Sequence, residues 1–151
     1  MMSDTDEHRQ TLGMPDVLER YPVPGPRTLD GLLGFELREA TPESAHARAR
    51  VTERACQRFG LVHGGVYCAL AEMLATEATL AQVWPDGMSA VGLSNHTNFM
   101  RPVTSGLIDA RGQALHRGRT TWVWNVSMTD DHARRCASAV VTIAVRPRPT
   151  G

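Results

Sequence analysis

Apolar and polar residues alternate with a period of two over most of the chain. Leu33, Phe35 and Leu37 alternate with Gly34, Glu36 and Arg38, and Ala45, Ala47, Ala49 and Val51 with His46, Arg48, Arg50 and Thr52. This alternation predicts half-buried strands. Four more strand-like runs follow over 88–100, 107–116, 120–129 and 135–145. Their connections (101–106, 117–118 and 130–133) carry turn residues, and links this short imply antiparallel neighbours. Residues 1–14 are polar, charged and aperiodic, which predicts a disordered tail. Residues 15–20 have the pattern of one short helix, and 21–26 (YPVPGP) interrupt regular structure. A single domain over 15–148 is the expectation.

The segment 65–84 breaks the period. It predicts a helix about 30 Å long, ended by Pro85. Val66, Leu70, Met73, Leu74, Ala78, Leu80 and Ala81 place apolar surface almost all the way round it, so it must be covered on most sides. One buried helix among antiparallel strands predicts an α+β architecture: a curved antiparallel sheet of five to six strands wrapped around one long central helix.

The polar residues that interrupt this helix are the candidates for chemistry. At about 100° per residue, Thr76 lies about 40° and Thr79 about 20° from Glu72, whereas Glu77 is about 140° away. Glu72, Thr76 and Thr79 therefore share a face, and Glu72 with Glu77 is not a paired-carboxylate site. Two readings of Glu72 stay open: a buried acid tied to a backbone group or an arginine, or a reactive carboxylate. Just before the helix stands Leu61-Val62-His63-Gly64-Gly65. Glycines at a helix start expose N–H groups and admit close approach, as an oxyanion site requires, although a tight turn and a capping His63 would use the same residues. Gly64 and Glu72 are eight residues apart, about 12 Å along one helix. An oxyanion donor and an attacking group must both lie about 3 Å from one carbonyl. If both act, Gly64 comes from one copy and Glu72 from another, as in a dimer with antiparallel central helices.

Composition narrows the classes. The 151 residues carry no net formal charge, which argues against a nucleic-acid or anionic-membrane binder. All 16 basic residues are arginine. Without lysine there is no Schiff-base catalysis and no Walker A loop. Arg101, Arg117, Arg119, Arg146 and Arg148 are either solvated loop charges or a bidentate grip on phosphates. Cys56, Cys68 and Cys136 form no CxxC pair, and the six histidines show no metal-ligand spacing, so no metal site is expected. The start of the chain is acidic and polar, unlike a secretory signal, and no apolar run reaches a membrane-spanning length. A cytoplasmic protein is the expectation.

Residues 57–79 (QRFGLVHGGVYCALAEMLATEAT), 94–102 (SNHTNFMRP) and 120–124 (TTWVW) resemble the hotdog-fold acyl-CoA thioesterases over nearly the whole chain. More narrowly, they resemble the 4-hydroxybenzoyl-CoA thioesterases whose catalytic glutamate sits in the middle of the long helix. The resemblance implies hydrolysis of an aromatic acyl-CoA to the free acid and coenzyme A, with no separate cofactor. It implies that Glu72 attacks the thioester or activates water, that the Gly64 N–H polarises the carbonyl, and that Gln57 helps there. His63 would assist orientation, Thr76 would position Glu72 or the water, and Glu77 would meet a ring hydroxyl. Arg101 and Thr120 match coenzyme A contacts. Arg119 replaces a small hydroxyl residue of that pattern and Pro149 replaces an arginine, a charge that Arg148 or Arg119 would have to supply. The family shares its sites across homodimers and commonly pairs these into homotetramers. Phenylacetyl-CoA or dihydroxynaphthoyl-CoA esters are alternative substrates, and a non-catalytic acyl-CoA-binding module is the alternative class. A hydratase fits less well, because Gln57 and Arg58 stand where that group has an aspartate.

Overall fold

The computed structural model describes Val23 and residues 25–149. The expected tail over 1–14 and short helix over 15–20 lie outside those residues. The elements, in chain order, are α1 (Leu29–Leu33), β1 (Phe35–Ala40), β2 (Ser44–Arg50), α2 (Gly64–Val83), β3 (Met88–Phe99), β4 (Leu107–Arg117), β5 (Thr121–Thr129) and β6 (Arg135–Pro147). The six strands form one antiparallel sheet in the order β1-β2-β4-β5-β6-β3. The 20-residue helix α2 touches all six strands, so the sheet curves around it. This is the expected wrapped-helix architecture, with six strands.

Alternation along the strands builds the core. Ala45, Ala47 and Ala49 of β2, Trp122, Trp124, Val126 and Met128 of β5, and Val141, Ile143 and Val145 of β6 are all buried. They meet Leu70, Leu74 and Ala78 of α2 in one cluster. Small side chains on β2 let the strand lie close to the helix, while Trp124 fills the space across from it.

Some boundaries differ from expectation for local reasons. Leu33 belongs to α1 and not to a strand: the Thr28 side chain accepts from the Gly31 N–H at the start, and Gly34, at φ 66°, ends the helix in the left-handed region. The long helix starts at Gly64, and Trp84–Asp86 form a separate 3-10 turn around Pro85. Thr120 falls in the turn before β5, and β6 runs on to Pro147.

The β5–β6 turn is tied by Asp130. Its carboxylate accepts from the N–H groups of His132 (2.9 Å) and Arg134 (3.0 Å) and from Arg134 Nε (2.9 Å). The Arg134 guanidinium, helped by the two backbone donors, lowers its pKa from 3.8 to about 2. A carboxyl depressed on folding stabilises the protein above its unfolded pKa, and that contribution is lost as the pH falls through the folded value. Asp130→Asn therefore lowers the urea midpoint at neutral pH, and its deficit relative to wild type shrinks between about pH 4 and pH 2. Urea titrations across that range check it; a deficit that does not change with pH would sink the assignment.

Candidate active site

Helix α2 presents one narrow stripe to β3. The would-be Cβ of Gly64 lies 2.9 Å from the Phe99 ring, Asn95 Nδ2 donates to the Cys68 carbonyl oxygen at 2.9 Å, and Glu72 sits against Gly92. Gly64, Cys68 and Glu72 are spaced i, i+4, i+8, so a straight helix aligns them on one face. A Cβ at residue 92 would stand 2.7 Å from Glu72 Oε1. Glycine there gives the carboxylate its room. The sequence carried that signal as a glycine inside a strand run, which marks a close approach.

Glu72 is half-buried, and Thr76 Oγ1 donates to its Oε1 at 2.7 Å. The structure thus brings these two together as the helix angles require. Thr79, expected on the same face, is fully buried: its hydroxyl donates to the Ala75 carbonyl and accepts from Trp124 Nε1. It belongs to the core. Glu77 is half-buried on another face of α2, off the stripe.

At the helix start the geometry separates the two glycines. His63 is the N-cap, and its Nδ1 accepts from the Gly65 N–H at 2.9 Å, while the Val66 N–H bonds the His63 carbonyl. An accepting Nδ1 leaves the ring proton of the neutral imidazole on Nε2. Among the described residues the Gly64 N–H has no acceptor, so it is the donor left open for a ligand. Gln57 lies on the preceding loop. Its Oε1 accepts from the Phe59 N–H at 2.5 Å, which turns the amide so that its NH2 group stays available to donate.

Asp30 is an acid that sequence reading did not single out. It lies on α1, which packs on α2, and burial followed by the negative charge of Glu72 pushes its carboxyl pKa up. An acid inside the otherwise apolar run LDGLL was the available signal.

The four expected coenzyme A residues do not meet within one chain. Arg101 follows β3, and its N–H bonds the Cys136 carbonyl at the start of β6. Thr120 accepts from the Val145 N–H and from Arg146 Nη1 near the far end of β6, with Arg119 beside it. Nine residues of strand, about 30 Å, separate those two places. Arg148 bonds the Gly87 carbonyl, and its guanidinium lies 4.2 Å over the Trp84 ring. So Arg101 keeps company with Gly64, and Thr120, Arg119 and Arg148 lie at the other end of the molecule.

Among the described residues no three His, Cys, Asp or Glu side chains cluster as metal ligands, and no helix is long and apolar enough to cross a membrane.

A family model described as the thioesterase superfamily matches residues 59–137. A crystal structure of a variant of thioesterase PA1618 from Pseudomonas aeruginosa superposes with a TM-score of 0.79 at 34% identity, covering 89% of this chain and 96% of that one. The 1,4-dihydroxy-2-naphthoyl-CoA hydrolase of Listeria monocytogenes is 32% identical over 120 residues, 80% of this chain and 97% of that protein. The proofreading thioesterase EntH of Cronobacter turicensis is 34% identical over 118 residues, 78% of this chain and 85% of that protein. The match spans both the open Gly64 N–H and the Glu72–Thr76 pair, and the chain belongs to the thioesterase superfamily.

Proposed function

We propose that this chain hydrolyses aromatic acyl-CoA thioesters at sites shared between two copies. The observation that carries the proposal is the stripe itself: an unfilled N–H at Gly64 and a carboxylate at Glu72, about 12 Å apart on one helix face, both beside an edge strand. Among the described residues β3 has a sheet neighbour on one side only, and Val91, Leu93, Phe99 and Met100 leave apolar surface along it. Antiparallel pairing of two β3 strands brings the Gly92 end of one copy towards the Phe99 end of the other. Glu72 of one copy then faces Gly64 of the other. The same operation carries Arg101 towards Thr120, Arg119 and Arg148 of the second copy, which reunites the residues assigned to coenzyme A.

In such a site the thioester oxygen accepts from the Gly64 N–H and the Gln57 amide, which stabilise the charge that develops on it. His63 caps the helix and keeps Gly65 occupied. Thr76 holds Oε1 of Glu72, leaving Oε2 to act on the carbonyl carbon. Either Oε2 adds to that carbon, the C–S bond breaks and water cleaves the resulting anhydride, or Oε2 takes a proton from the attacking water. Both routes give a carboxylic acid and free coenzyme A thiol. Glu77 is assigned to a ring hydroxyl on the motif resemblance, which also supports a tetramer of two dimers.

The relative named for a substrate acts on a hydroxylated aryl-CoA, which supports the aryl class and makes dihydroxynaphthoyl-CoA as strong a candidate as 4-hydroxybenzoyl-CoA. The deciding experiment measures thiol release from benzoyl, 4-hydroxybenzoyl, dihydroxynaphthoyl, phenylacetyl and aliphatic CoA esters. A kcat/KM at least about tenfold higher for the hydroxylated aryl esters than for the aliphatic ones is expected. A preference for aliphatic esters overturns the aryl assignment, and binding without thiol release overturns catalysis.

A further inference from the structure

We infer that Phe99 is a positioning residue for the oxyanion donor: its ring covers the side-chain face of Gly64, next to the N–H, and limits the approach of water from that side. The inference rests on the proposed thioester hydrolysis. Phe99 is the last residue of β3, paired with Ala137 of β6. A Cβ at residue 64 would stand 2.9, 3.1 and 3.3 Å from its Cζ, Cε2 and Cε1 atoms. The ring therefore occupies the space that any side chain at 64 would need. Behind it stands Tyr67, 3% exposed, with ring centroids 6.0 Å apart and planes tilted by 41°. Phe99 itself is 57% exposed, so one face of the ring stays open to solvent while the other covers Gly64.

The physical consequence concerns water. An unfilled N–H at a helix start is solvated in the free protein, and each water near it competes with the substrate carbonyl. A ring on one side limits that approach, and a less polar surround strengthens the bond to the developing oxyanion more than the bond to the neutral carbonyl. Phe99 thus acts through Gly64, and its effect falls on turnover more than on substrate affinity. A ring that merely packs at a dimer contact would change assembly and leave turnover per dimer unaltered.

The test uses Phe99→Ala, Phe99→Leu, Gly64→Ala and the Gly64→Ala/Phe99→Ala double variant in the full chain. Kinetics on the best CoA ester are combined with sedimentation to follow assembly. Phe99→Ala is expected to lower kcat by about tenfold while KM changes by less than about threefold, and Phe99→Leu to recover most of the loss. Gly64→Ala should be costly alone, because its Cβ displaces the ring, and cost little more once the ring is gone. Unchanged kcat in Phe99→Ala, additive effects in the double variant, or a loss that tracks dissociation of the dimer would each overturn the inference. A wild-type chain that releases no thiol from any ester overturns the underlying reading instead, and this inference with it.

Discussion

Glu72→Gln is expected to fold as the wild type does and to lose about 10³-fold or more in kcat, equivalent to about 4 kcal/mol of barrier. The amide has the shape of the carboxylate, and its oxygen still accepts from Thr76 Oγ1, so the contact at 2.7 Å survives. The room beside Gly92 is equally filled. What is lost is chemistry: an amide neither adds to a thioester nor takes a proton from water. Thiol release and thermal unfolding measured on the same preparation separate the two effects. Turnover within about tenfold of wild type, with the fold intact, would remove Glu72 from the mechanism.

Two inactive variants should restore each other. Gly64→Pro deletes the open N–H at a first-turn position, where proline is tolerated, and His63 at φ −66°, ψ 135° already has the conformation a following proline needs. Its Cβ requires only that the half-exposed Phe99 ring swing aside. Glu72→Gln removes the carboxylate. In a mixed dimer one shared site carries both lesions and the other carries neither. Random pairing at equal amounts makes about half the dimers mixed, so about one quarter of wild-type activity returns, a gain of more than about 100-fold over either variant alone. Co-expression with two affinity tags provides the measurement: the unselected mixture should show about one quarter, and the doubly selected dimer, with one intact site of two, about one half of wild-type activity. No gain on mixing would mean that each chain holds a whole site, contrary to the helix-length argument.

Much of this was legible in the residues because the controlling interactions are local. Period-two runs become strands wherever one face is buried, and an apolar helix without a polar face has to be enclosed. Glu72 and Thr76 are four residues apart on one helix, so their contact follows from helix geometry alone. Helix α1 was not legible, because five residues are too few for a period and its limits depend on Thr28 and Gly34 as caps. Thr79 lies only about 20° from Glu72 around the helix, yet its partner Trp124 lies 45 residues on, and only the packed fold shows which hydroxyl faces the core. The difference between Gly64 and Gly65 likewise depends on where the His63 ring turns. The arginines are the clearest case: their number says nothing of position, and only the sheet order reveals that Arg101 and Thr120 lie at opposite ends of β6.

The edge of β3 that no described residue pairs has one more consequence. Twelve residues of open backbone with apolar flanks are a template on which unrelated strands could build, and proteins usually blunt such edges with charge, proline or bulges. Here β3 contains no charged Asp, Glu, Lys or Arg and no proline, and its bulge near Gly92 and Ser94 interrupts only part of its length. A second copy that completes the site also removes the hazard. Substitutions that weaken this pairing would then damage solubility and turnover together, and selection for one would preserve the other.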